Sequence, residues 1–518
     1  MIVFSAHFLA PAVVPVFVSA GAALMPAIAA GFASFFSLLI RPKLLWAACR
    51  RSPGKSALIL AILIIIAAAP FAMIGLMKAR AEITPPPPKQ IDWPAVAREV
   101  LRIQSSPHDI LQQIWHNPLD GELCLATPTP YTSADGKTAL YVPAMINTVE
   151  KQAGTFWSLD AATGRPLWKA THTMPASGAG ISEELRPIFS RPLVVANGTR
   201  VVTGQGLHDN ANCSLLCFDV AASLRAGEGR TAWTVPTTLH LESSPALLTA
   251  GGGERVVIGA GAIEGPDKKA IGDPGYVFCV AVGSGEKLWQ FPLNDPEACV
   301  AIDEVGIIYA GAGLNGNAVV ALRSGVRDVD RQIWRYATKF PATGDLKVMR
   351  MPHDSSHQIV LLGTGNGDYV NADPHPAGSV LAIDASNGKL VWENALPDGV
   401  LGGLNVEGES VLAACRDGCA YKLDLLSGQI IWKTRISAGK DVPVLAGLVS
   451  DGRYAFALAA DATLAVLDLQ HGVILERRQL IDPSKAMLNF TMATPTLDRG
   501  ILYVPTETSG IYAFDIGW

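Results

Sequence analysis

The sequence predicts an all-β protein: an eight-bladed β-propeller closed by pairing of its N- and C-terminal strands and preceded by N-terminal transmembrane helices. Three observations predict it. A short unit ending in Trp recurs along residues 110–518, two incomplete units at the ends of that region complete one another, and two long uncharged stretches precede residue 80. Of the 518 residues, 49 % are hydrophobic and only 17 % charged, a balance too apolar for a disordered chain and suited to a protein partly in lipid. The net charge of −5 comes without a basic block, so no electrostatic footprint for nucleic acid is present.

The anchor comes first in the chain. Residues 1–40 contain no Lys, Arg, Asp or Glu, and residues 56–77 form a second uncharged run of spanning length. A secretory signal needs a charged start and a short apolar core, so cleavage is not expected. Between the runs, the loop 41–55 carries Arg41, Lys43, Arg50, Arg51 and Lys55 and no acid, which places it in the cytoplasm and sends the following span outward. The first run forms either one long tilted span or two short ones, so residues 1–80 hold two or three helices. Residues 81–109 follow as a linker: four consecutive prolines, Pro85 to Pro88, favour an extended spacer, and Val96, Val100, Leu101 and Ile103 give residues 91–106 the spacing of a short amphipathic helix.

The repeat fills residues 110–518 at a period of about 40 to 65 residues. Its complete form is an apolar strand ending in Asp, a turn ending in Gly, and a Trp four places on: Asp160, Gly164 and Trp168; Asp384, Gly388 and Trp392; Asp424, Gly428 and Trp432. Asp219 and Trp233 enclose an insertion that postpones the glycine to Gly229. One copy keeps Gly285 and Trp289 with Ala281 at the Asp position, another keeps Trp334, and another keeps Asp468 and Gly472 but ends in Glu476. The chain closes on Asp515 with no Trp at the expected distance, whereas Trp115 opens the region with no Asp before it. Upstream of each Asp lies a second strand pair, as in the similar stretches 126–143 and 493–505.

Three strands joined by tight turns, plus a fourth ending in Trp, have the content of a propeller blade. The Asp accepts N–H bonds from the turn it starts, the Gly supplies a left-handed conformation, and the indole buries itself against the neighbouring blade. Pairing the two half-units removes the edges an open array would expose. These positions are expected to dock blades rather than to do chemistry.

The pattern in VLAIDASNGKLVW and WSLDAATGRPLW resembles the pyrroloquinoline-quinone-like repeat of quinoprotein alcohol dehydrogenases and of BamB-like lipoproteins. The resemblance implies the eight-bladed fold over residues 110–518 and two functional outcomes. Quinone-dependent relatives carry adjacent cysteines over the cofactor, calcium ligands and an Asp base; this chain has eight Cys and no two are adjacent. GTGN (363–366) resembles the segment whose Asn ligates calcium, which would give that role to Asn366, although GAGLNGN and GQGLHDN fill the same slot elsewhere as ordinary turns. BamB-like relatives carry no cofactor and scaffold outer-membrane assembly.

The expectation is therefore a propeller without catalytic residues, cofactor or metal, held at the bacterial inner membrane in the periplasm and binding a protein partner on its rim. The alternative is a divergent quinoprotein dehydrogenase using pyrroloquinoline quinone and calcium and passing electrons to the membrane.

Other motifs carry less. GAGLNG (311–316) spells a dinucleotide loop, but NAVVALRS continues it as a strand where a helix is required, and SPGKS (52–56) runs into a lipid span. His353 and His357 are four apart in a loop, which does not fix a ligand geometry. Cys415 and Cys419 flank a tight turn and face one another across a hairpin, where either a disulfide or two buried thiols would fit. The stretches 262–275 and 367–378 lengthen loops between strands on a rim suited to recognition.

Overall fold

The computed structural model describes residues 109–517 apart from 149, 178–181, 209, 264–269, 314–315, 440 and 483–489. The expected membrane spans, cytoplasmic loop, proline linker and amphipathic helix lie outside the described residues. Among the described residues, no helix is long and apolar enough to cross a membrane.

Eight four-stranded antiparallel sheets form a closed ring. Blades 1 to 7 take consecutive strands from 129–170, 193–237, 246–292, 301–337, 347–396, 405–435 and 449–479. Blade 8 joins three C-terminal strands to the strand Gln112–Asn117. There Gln112 stands opposite Asp515 and Trp115 opposite Ala513, so the two half-units of the sequence complete one sheet. First strands of neighbouring blades touch one another around the axis. The fourth strands therefore lie outside.

The burial follows from this layering. Middle strands such as Gly378–Asp384 and Ser410–Cys415 are packed on both faces and read as unbroken apolar runs. Outer strands such as Ile430–Arg435 bury Trp432 and leave their other residues partly or wholly exposed. The indole sits three residues into the fourth strand rather than at its end, because the strand continues with solvent-facing residues that no apolar pattern marks. Each pair of neighbouring blades shares one apolar cluster, giving eight seam cores instead of a single centre.

Of the segment 311–316, Gly311 and Ala312 end the strand Ile307–Ala312 and the chain resumes as the strand Ala318–Arg323, so among the described residues no helix N-terminus meets a phosphate there. Cys415 and Cys419 are direct cross-strand partners, and both are free, buried thiols. Burial pushes both thiols above their ordinary range, with Asp417 adding to the shift.

Candidate functional site

The blade-docking residues lie at the seams. Trp115, Trp233, Trp334, Trp392 and Trp432 donate from Nε1 to the carbonyls of Ala161, Val282, Ala385, Leu425 and Leu469 at 2.8–3.1 Å, each in the following blade. Each acceptor immediately follows the position of the repeat's Asp. The turn glycine lies under the indole: at Gly428, φ is +69°, and an added Cβ would stand 2.4 Å from the Trp392 ring. Only glycine meets both demands. The acids act locally, since Asp160 Oδ1 accepts from Thr163 N, Asp384 Oδ1 from Ser386 N, Asp424 Oδ1 from Ser427 N and Asp468 Oδ1 from His471 N, each at 2.8–2.9 Å. Asp515 Oδ1 accepts from Gly517 N at 2.9 Å.

Two seams depart from the expected plan. After Asp219 the insertion forms a helix, Val220–Ala226, and Asp219 caps it by accepting from Ala222 N instead of closing a hairpin. Gly229 consequently packs on Ala170 rather than on an indole. Trp168, 1 % exposed, has no hydrogen-bond partner for Nε1 and is held by rings instead, with Phe156 and Phe218 at centroid distances of 5.7 and 5.5 Å. At the next irregular seam, half-buried Trp289 donates to Ser324 Oγ at 3.3 Å, and the Arg331 guanidinium stacks 4.3 Å from its ring. Where Glu476 replaces Trp, its Oε2 accepts the N–H groups of Ile110 and Leu111 at 2.8 and 3.1 Å, fastening the segment that enters blade 8.

A cavity of about 570 Å³ lies on the ring axis, bordered by loops and linkers from around the ring. One wall is apolar: Leu123, Leu125 and Met145 pack with Phe189, Phe490 and Met492. Beside it, Tyr369 enters from the long loop 367–378 and donates its hydroxyl to Leu401 O at 2.9 Å. Arg416 ties that loop down through the carbonyls of Asp368 and Val370 at 3.0 and 3.3 Å. This rim loop, singled out by its length, therefore borders the cavity, whereas 264–269 of the other long loop lie outside the described residues.

The opposite wall gathers titratable groups. His208 comes from the loop between the second and third strands of blade 2, His240 and Glu242 from the linker to blade 3, and Glu297 from the linker to blade 4. One donor atom from each lies within 4.8 Å of the others. His208 Nδ1 is 2.9 Å from Glu297 Oε1, His208 Nε2 is 3.6 Å from Glu242 Oε2, and His240 Nδ1 is 3.5 Å from Glu242 Oε1. Burial lowers the pKa of His208, but Glu242, Glu297 and Asp295 outweigh it and push the group up to about 11. Burial, reinforced by His208, takes His240 the other way, down to about 3. Sequence reasoning missed this group because its members lie on separate loops with no motif spacing. The signals available were H-L-E at 240–242 and the location in blades whose repeats are irregular.

His353 and His357 are not brought together as ligands. His353 meets Glu409, while His357 Nε2 lies 3.3 Å from Asp384 Oδ2. Asn366 borders the cavity, but its Nδ2 donates to His375 O and its Oδ1 accepts from Ala377 N, both at 2.8 Å, so the amide closes its own loop. The Asn366 amide is thus engaged within its own loop, and no two cysteines of the chain are adjacent.

A family profile described as outer membrane protein assembly factor BamB matches residues 112–332 and 323–517. No curated protein sequence matches the chain significantly. Among solved structures, BamB from Moraxella catarrhalis is similar at 14 % identity and TM-score 0.51, covering 78 % of this chain and all of that one. Sqt1 from Chaetomium thermophilum is similar at 11 % identity and TM-score 0.53, covering 79 % of this chain and all of that one. Sqt1 bound to the N-terminus of the ribosomal protein L10 gives 11 % identity and TM-score 0.52, covering 73 % of this chain and 93 % of that one. At such identities the structural likeness speaks for the fold, and with the profile spanning most of the chain, the protein belongs to the BamB-like family of pyrroloquinoline-quinone-like propellers.

Proposed function

We propose that this protein is a membrane-anchored, extracytoplasmic propeller that binds or scaffolds protein partners without catalysing a reaction. The observation that carries this reading is the axial cavity, whose apolar wall of Phe189, Phe490 and Met492 offers a peptide side chain a place to bury. Family membership supports it, as does the fact that a propeller of the same fold, Sqt1, is known bound to a protein N-terminus. The uncharged stretches 1–40 and 56–77 act as the anchor, residues 81–109 as the spacer, and the basic loop 41–55 holds the propeller on the extracytoplasmic side of a bacterial inner membrane.

The quinoprotein reading has less support, because the Asn366 amide is engaged within its own loop. The test uses the intact chain in native membranes, with a photo-crosslinker at Tyr369. A defined protein partner should be captured, and Phe490→Asp should abolish capture while leaving the melting curve in place. Quinone- and calcium-dependent reduction of an acceptor dye that Asn366→Ala eliminates would overturn the reading.

A further inference from the structure

His240 is wholly buried, and its Nε2 lies 2.8 Å from the carbonyl oxygen of Ala262. A carbonyl only accepts, so Nε2 carries the proton and Nδ1 of the neutral ring presents its lone pair. That atom has no hydrogen-bond partner, yet it faces Glu242 Oε1 at 3.5 Å. Lone pair against carboxylate is repulsive unless a positive centre stands between them. The ring is also firmly held. Asp295 Oδ1 accepts from Ala262 N at 2.8 Å, fixing the residue whose carbonyl fixes His240, and a Cβ on Gly261 would lie 2.3 Å from the imidazole. An imidazole whose far nitrogen donates to a backbone carbonyl, itself secured by a carboxylate, is the outer-shell arrangement that orients a metal-binding histidine.

We propose that His208, His240, Glu242 and Glu297 bind one divalent transition-metal ion, of the zinc or manganese class, at the wall of the axial cavity. Metal–ligand bonds of about 2.0–2.2 Å in a tetrahedron set neighbouring donors roughly 3.3–3.6 Å apart. One donor atom from each of the four residues lies within 4.8 Å of the others, so the side chains need close in by only about 1 Å to reach that spacing. Two imidazoles with two carboxylates suit zinc, manganese or iron(II), whereas calcium prefers a shell made of oxygen. Two carboxylates balance the ion's charge. The ligands come from three separate segments, so the ion pins the loop between the second and third strands of blade 2 to the linkers that lead into blades 3 and 4.

The experiment uses the full-length protein in detergent, stripped with a chelator and equilibrated separately with zinc, manganese and calcium chloride, followed by elemental analysis. About one equivalent of zinc or manganese should remain per chain. His208→Ala and the isosteric Glu297→Gln should each weaken retention by roughly 100-fold or more and remove the rise in melting temperature that the metal gives the wild type. His353→Ala, at an exposed turn, should bind as the wild type does. If His208→Ala does not fold, Glu297→Gln and the wild-type stoichiometry decide. Retention of neither metal by the wild type, or equal retention by Glu297→Gln, overturns the proposal.

Discussion

The seams running from blade 4 to blade 7 and the two seams leading into blades 2 and 4 are built from one repeat and treat it differently. Around blades 5 and 6 the plan is kept: Trp334, Trp392 and Trp432 each reach a backbone carbonyl of the next blade and cover its turn glycine. At the seams leading into blades 2 and 4 the plan is relaxed, while Trp233 between them keeps it. Trp168 relies on neighbouring rings, and half-buried Trp289 shares its surface with Arg331. The histidine–glutamate group lies on this second side, between blades 2 and 4. A repeat kept for packing leaves little room for chemistry, and departures from it mark where other demands act.

The largest test of the contrast compares two indoles. Trp392→Ala should cost about 3–5 kcal/mol in chemical denaturation, since it opens a cavity in a regular seam and strands the Leu425 carbonyl. Trp289→Ala should cost about 1–3 kcal/mol, because its ring is already partly exposed. Equal losses would erase the distinction.

Glutamate in place of the indole gives the next effect. Glu476→Gln removes a charged acceptor serving two backbone N–H groups, and should lower stability by about 1.5–3 kcal/mol. Limited proteolysis should show the first new cleavage near Ile110.

A glycine pair separates ring contact from backbone strain. Gly428 and Gly325 have φ of +69° and +75°, but only the former lies against an indole, at 2.4 Å from an added Cβ, while the latter has open space. Gly428→Ala should cost about 2–3 kcal/mol and Gly325→Ala about 1 kcal/mol, measured by thermal melts.

The smallest effect concerns one turn acid. Burial raises the pKa of Asp384, but the Ser386 hydroxyl and N–H, with His357, outweigh it and hold the carboxyl below its ordinary value. A depressed carboxyl stabilises the fold above its unfolded pKa of about 4, and this stability is lost as pH falls through the lower folded value. Asp384→Asn should therefore cost about 1 kcal/mol at pH 7 and almost nothing once both forms are protonated in strong acid. A constant difference across that window would remove Asp384 from the account.

The fold was legible because the repeat writes its own packing. Trp, Asp and Gly recur at fixed offsets, and Trp115 and Asp515 each lack what the other supplies. Gly229 was misleading, since its offset from Asp219 conceals a helix that carries the chain away from Trp168. The His208 group was illegible for a different reason. Ligands on three loops, 34 to 89 residues apart between His208 and its neighbours Glu242 and Glu297, meet only through the curvature of the ring, which spacing along the chain does not encode.

The joint in blade 8 also sets a schedule for synthesis. Gln112–Asn117 leaves the ribosome roughly four hundred residues before the strand it pairs with. Until Asp515 has been made, this short segment stays without its partner while its successors stack beside it. Seven sheets must wait as an open crescent with sticky flanks, so folding of this protein is most exposed to misassembly just before Asp515 is made.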